Sequence, residues 1–109
     1  MVQAVEGDAA AGFRVKAGTD IAGWVASTRK TVNLIEAYLD PRFDPALDVI
    51  TGYWTRTLLA VPVVDAVGNV IGVLEALNKF FGPFNADDEA LLRGLAHQYA
   101  PVLASSSRK

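Results

Sequence analysis

One carboxylate, Glu75, stands alone in the apolar run VIGVLEAL (Val70–Leu77). An unpartnered carboxylate buried among hydrophobic neighbours is costly, so Glu75 either points to solvent or meets a partner or ligand. Directly after it comes NKFFGPFNADDE, with Asn78, Lys79, Phe84, Asp88 and Glu89 at fixed intervals. Lys79 closes the apolar run, and Asp88 falls in the first turn of a helix-like run, where a carboxylate favours the helix dipole. A Lys79–Asp88 pair would pin a strand to a helix, with Phe84 plugging the core beside it. The plainer alternative is a capping box and a surface ion pair worth under about 1 kcal/mol, and the residues alone leave both open. The cluster Asp87, Asp88 and Glu89 is explained better by the helix start than by acid–base chemistry.

Other chemistries find little support. His97 is the only histidine and lies mid-helix, so a histidine-rich metal site is excluded. Cysteine is absent, which removes disulfides, thiol catalysis and thiolate metal sites together. No histidine-based nucleophile pair and no phosphate loop such as GxxxxGKS occurs. A non-enzyme is expected, with no cofactor. The 109 residues are expected to form a single domain, 1–109, and 51% hydrophobic residues can build a core for it. A net charge of -2 offers no broad basic surface, so no nucleic acid is expected. The longest apolar run, Leu58–Val64, is too short to span a bilayer, so no membrane partner is expected.

These residues need elements to position them. MVQAVE and FRVKA alternate as two strands joined by GDAAAG. Asp20 is expected to cap a short helix over IAGWVAST, and KTVNLI is a brief strand. EAYLDPRFDPALDVITGYW is broken by prolines, aspartates and a glycine into turns and short helical pieces, and a connection that long is usually functional. TLLAVPVV and NVIGVLEAL form a hairpin through Asp65–Asn69, apolar enough to be covered on both faces. A last helix opens at Asn85, carries an apolar stripe of Leu91, Leu92, Leu95, Tyr99 and Val102, and is kinked or ended by Pro101. The frayed-looking tail is SSSRK. The sum is an α+β domain.

IAGWVAST, NLIEAYLDPRFDP, TGYWTRTLLAVPV, NVIGVLEALNK and FNADDEALL, in that order from about Val2 to Leu103, resemble the GAF domain. That family is a PAS-related fold, an antiparallel sheet flanked by helices, used as a cytosolic sensor module in phosphodiesterases, cyclases, kinases and transcription regulators. The pattern of Asn78, Lys79, Phe84, Asp88 and Glu89 is similar to the signature of the subset that binds cyclic nucleotides. There the lysine and aspartate pair across the loop without touching the nucleotide. The resemblance implies a regulatory domain binding cyclic AMP or cyclic GMP under a lid of about residues 36–55. It implies a cytoplasmic location and an effector domain in a longer parent protein. A ligand-free dimerisation module is the alternative.

Carried over position by position, the resemblance implies ligand contacts from the backbone of Ile21 and Ala22, from Asp48, Thr51 and Thr55 on the lid, and from Glu75 on the last strand. An early aromatic–acidic pair that covers and reads the base falls on Val5 and Glu6, so the stacking group is missing while the carboxylate survives. Ile35 stands where proline is frequent, and Arg29 where glycine is frequent. Haem- and bilin-binding members and the sulfoxide reductases of the family are disfavoured, because His97 is misplaced and cysteine is absent. The resemblance implies that the chain starts at what corresponds to the second strand, so that a helix and the first, central strand are expected to be missing: either the chain is a fragment, or that strand comes from another molecule. The hairpin Val2–Ala17 is then expected to lack its neighbour and Val70–Lys79 to be open on one side, which predicts a homodimer that pairs those edges or swaps elements across a two-fold axis.

Overall fold

A computed structural model describes residues 3–6, 12–16, 20–52 and 54–106, with side chains from Ile21 onward apart from Leu47 and Ser106. The expected connector at 7–11 and the tail at 107–109 lie outside the described residues. Among the described residues five strands form one antiparallel sheet: β1 (Gln3–Glu6), β2 (Gly12–Lys16), β3 (Val32–Leu34), β4 (Leu58–Val64) and β5 (Val70–Leu77), in the order β1-β2-β5-β4-β3. The helices described are α1 (Asp20–Thr28), α2 (Ala46–Thr51) and α3 (Ala86–Ser106), with a 3₁₀ turn at Ala37–Leu39.

The central hairpin is buried on both faces, as its unbroken apolar sequence requires. Leu58, Ala60, Val73 and Leu77 pack with Ile21, Ala22 and Val25 of α1, while Leu59, Val61, Val63, Leu74 and Ala76 pack with Leu92, Ala96, Ala100 and Leu103 of α3. Alternate residues of each strand therefore serve opposite layers. The turn between β4 and β5 is built by Asp65, whose Oδ1 accepts the N–H groups of Val67 and Asn69 at 3.1 and 2.8 Å. Gly68 supplies the φ of 93° that the turn demands. Pro62 costs no ladder bond to β3, because β3 pairs only with Leu58–Ala60.

Three expectations are corrected. The edges predicted to be open find each other: β2 pairs with β5 from Gly12↔Leu77 to Lys16↔Val73. Each offers a row of unsatisfied backbone groups, and pairing within the chain satisfies both rows without a second molecule. Pro101 does not end α3, which continues to Ser106. Its proline ring removes one N–H from the ladder, and Ala100 and Leu103 on either side remain packed in the core. The buried stripe of α3 is also shifted. Leu91, Leu95 and Val102 are exposed, and Leu92, Ala96, Ala100 and Leu103 face the sheet. The two alanines let the helix axis approach the strands, a gain that side-chain size alone does not reveal.

Arg29 caps the end of α1 at φ 63°, and its guanidinium donates to the carbonyl of Gly68 in the β4–β5 turn. A left-handed φ explains why glycine suits this place. Among the described residues no helix is long and apolar enough to cross a membrane.

Candidate functional site

Glu75 sits in the middle of β5 and is 1% exposed. The register sets it opposite Ala60 of β4 and Arg14 of β2. It occupies the row between Val73 and Leu77, on the layer covered by α1. The outward-facing alternative is thereby ruled out, and the carboxylate has its own partner within the chain.

The segment between β3 and β4 folds across that layer. Ala37 and Phe43 pack into the α1-side core. Asp40 holds Arg42 through a fork, Nε to Oδ1 at 2.9 Å and Nη2 to Oδ2 at 2.7 Å, and the guanidinium lies 4.6 Å from the centre of the Trp24 ring. The hydrogen bonds from Arg42 hold the Asp40 carboxyl below its ordinary range. Within the lid, Asp48 Oδ1 accepts the hydroxyl of Thr55 at 2.9 Å. Its Oδ2 accepts the Thr55 N–H and the Tyr38 hydroxyl, each at 2.8 Å. Partial burial and the Asp48 carboxylate both raise the Tyr38 hydroxyl above its ordinary value near 10. Gly52 closes α2 at φ 76° and donates to the Asp48 carbonyl at 2.8 Å, which turns the chain back toward Thr55.

Asp48 and Thr55, predicted to meet a ligand, therefore meet each other and are buried. Thr51 is exposed at the end of α2 and makes a contact of its own. Ile21 and Ala22 place their side chains in the core in the first turn of α1, so only their backbone could face a ligand. Glu6 lies on β1, opposite Gly12, which is opposite Leu77. Two strand spacings and two residues put its backbone roughly 12 Å from that of Glu75. The role of Tyr38 has no signal in the sequence, because nothing in AYLD marks a tyrosine ten residues from the aspartate it serves.

The stretch from Asn78 to Glu89 resolves into separate tasks. Asn78, at φ 57°, ends β5 and grips the returning leg of the lid. Its Oδ1 accepts the Arg56 N–H at 2.6 Å and its Nδ2 donates to the Trp54 carbonyl at 2.6 Å. Lys79 Nζ meets Asp88 Oδ2 at 2.5 Å with both side chains about a quarter exposed. Asn85 and Asp88 cap α3 reciprocally, at 2.8 and 2.9 Å. Phe84 packs on the α3-side core, and Glu89 accepts from Asn33 of β3 at 3.1 Å. Capping box and strand-to-helix tie are thus both present, sharing one carboxylate.

The hydrogen bond from Lys79, aided by the Asn85 N–H, holds the Asp88 carboxyl below its ordinary value of 3.8. A depressed folded pKa gives stability that is present above the unfolded pKa and lost as pH falls through the folded one. Asp88→Asn should therefore melt below the parent at pH 7, by at most about 1 kcal/mol, and converge with it below pH ~3. Melting curves at both pH values check this, and a constant gap would place the effect in packing.

A family model of the GAF domain matches residues 2–103. Over 77 residues the chain is 47% identical to the dual 3′,5′-cyclic-AMP and -GMP phosphodiesterase 11 of Drosophila melanogaster, covering 70% of this chain and 5% of that protein. Over 100 residues it is 38% identical to the dual phosphodiesterase 11A of Takifugu rubripes, covering 84% of this chain and 11% of that protein. The chain thus spans a small part of the relatives it matches. Among solved structures, the GAF domain of an Acinetobacter phosphoenolpyruvate-protein phosphotransferase superposes at a TM-score of 0.63 with 28% identity, covering 82% of this chain and 49% of that one. The corresponding domain from Coxiella burnetii superposes at 0.65 with 24% identity, covering 86% and 55%, a likeness of fold alone. With this sheet order, these two helical layers and a match over nearly its whole length, the chain belongs to the GAF domain family.

Proposed function

We propose that this chain is a non-catalytic regulatory domain of a longer cytoplasmic protein, and that it binds cyclic AMP or cyclic GMP between its lid and the α1 layer of the sheet. One observation carries the reading. Four polar or charged side chains are buried among the described residues, Asp48, Thr55, Thr57 and Glu75, and three of them stand at positions that the family resemblance assigns to the ligand. Burying two carboxylates, one on the lid and one on β5, costs desolvation that apolar side chains in the same places would not. The relatives' names, dual cyclic-AMP and -GMP phosphodiesterases, supply the ligand class. Because Asp48 and Thr55 already satisfy each other, a nucleotide would enter by exchanging hydrogen bonds with the lid rather than by filling vacant ones. Binding then favours one lid state over another, and the affinity difference is the signal. Calorimetric titration with each nucleotide tests this: saturable 1:1 binding of at least one is expected, and heats of dilution alone for both would end the proposal.

A second reading, a dimerisation module, is favoured by the exposure of Leu91, Leu95 and Val102 on the side of α3 turned from the core. It replaces the strand-edge dimer expected from the sequence. Light scattering decides it: a dimer lost in Leu91→Glu supports this face, and a monomer of 11.6 kDa at all concentrations removes it.

A further inference from the structure

Where the lid leaves and rejoins the domain, an open cleft of about 710 Å³ is lined by three segments. Ile35 and Glu36 come from the lid's start, Trp54 and Arg56 from its end, and Lys79 and Phe80 from the loop after β5. Asp48, Thr55 and Glu75 do not line it, so it is distinct from the site proposed above. Its size falls in the ordinary range for small-molecule sites, roughly 300–1,000 Å³.

The chemistry of the walls is specific. Trp54 is 68% exposed and Phe80 72%, a large aromatic surface held in water. Tyr38 stacks on Trp54 at 4.7 Å between ring centres and 11° between planes, and Tyr38 does not line the cleft. The indole is thereby braced from outside the cleft while it borders the cleft itself. Arg56 meets Glu36 only at 3.4 Å and with most of its side chain in solvent, an arrangement weak enough to be exchanged. Lys79 also lines the cleft, but its ammonium is committed to Asp88 at 2.5 Å, so Arg56 is the cation that an anion in the cleft can meet.

We propose that this cleft binds a planar aromatic anion, of the class of a nucleoside monophosphate, with its ring against Trp54 and its anionic group toward Arg56. An aromatic face recognises the ring of such a ligand by stacking, and a guanidinium its phosphate or carboxylate. The site also touches the parts that move the lid. Arg56 accepts the Ala37 N–H at 2.7 Å through its carbonyl, and Asn78 ties Trp54 to the end of β5. An occupant would brace both ends of the lid at once. The inference does not rest on the cyclic-nucleotide reading.

The test is a titration of the whole chain with 5′-GMP, followed by calorimetry and by the indole N–H signals of Trp24 and Trp54. Expected are a 1:1 isotherm, a shift at Trp54 rather than Trp24, and at least fivefold weaker binding in Trp54→Ala and in Arg56→Ala. Glu75→Gln should bind 5′-GMP as the parent does. Arg56→Ala keeps the test sound if loss of the Tyr38 stack disturbs the lid in Trp54→Ala. Absence of saturable binding, or parent-like binding in Arg56→Ala, overturns the proposal, and loss in Glu75→Gln moves the ligand to the inner site. Failure of cyclic GMP in the same experiment bears only on the inner site, so the two outcomes are separable.

Discussion

Glu75→Gln should lower affinity for the cyclic nucleotide at least tenfold while leaving the melting curve close to that of the parent. The carboxylate is 1% exposed in the central hairpin, in the row that packs against α1. A hydrogen bond to a charged group in such a setting contributes about 1.5–3 kcal/mol, and about 1.4 kcal/mol is a factor of ten in binding. Glutamine keeps the volume, so no cavity is opened and the β2–β5 and β4–β5 ladders stay intact. Glu75→Ala should lose binding as well, but it also opens a cavity in the core and removes the group that its partner within the chain meets, and therefore costs stability. The glutamine variant separates the two effects. If it binds both cyclic AMP and cyclic GMP as the parent does, Glu75 is a structural residue and the pocket lies elsewhere.

Asp48→Ala should be the most destabilising single change in the lid, by about 3 kcal/mol. It orphans three donors together: the Thr55 N–H, the Thr55 hydroxyl and the Tyr38 hydroxyl. Thr55 is fully buried, so its N–H and hydroxyl cannot turn to water, and each unsatisfied group costs about 1–3 kcal/mol. Tyr38→Phe removes one donor and leaves Asp48 with both bonds from Thr55, so it should cost only about 1 kcal/mol. Denaturant unfolding of the two variants gives the comparison. Equal losses would mean that the Asp48–Thr55 bonds contribute little and that the lid is held chiefly by the Asn78 grip and the Tyr38, Phe43 and Trp54 rings. The same geometry qualifies Thr55→Ala as a probe of binding, since it acts on the lid before it acts on any ligand.

Most of the fold was legible in the sequence because local signals agreed with one another. The uninterrupted apolar residues of Leu58–Val64 and Val70–Leu77 required two covers, and the Asn85–Asp88 spacing required a capped helix. Alternation alone placed β1 and β2. The candidate site was legible only as a set of positions, through resemblance, and burial then gathered Asp48, Thr55 and Glu75 into the interior. What could not be read was everything set by partners distant in sequence. The face of α3 that meets the sheet was decided by Ala96 and Ala100, because close approach depends on what is absent from a side chain. The service of Tyr38 to Asp48, and of Asn78 to Trp54 and Arg56, depends on where the lid comes down. The pairing of β2 with β5 was decided by the sheet as a whole. A strand edge carries no address for its partner, only a row of backbone groups that must be satisfied, and the nearest edge in the folded chain satisfies them.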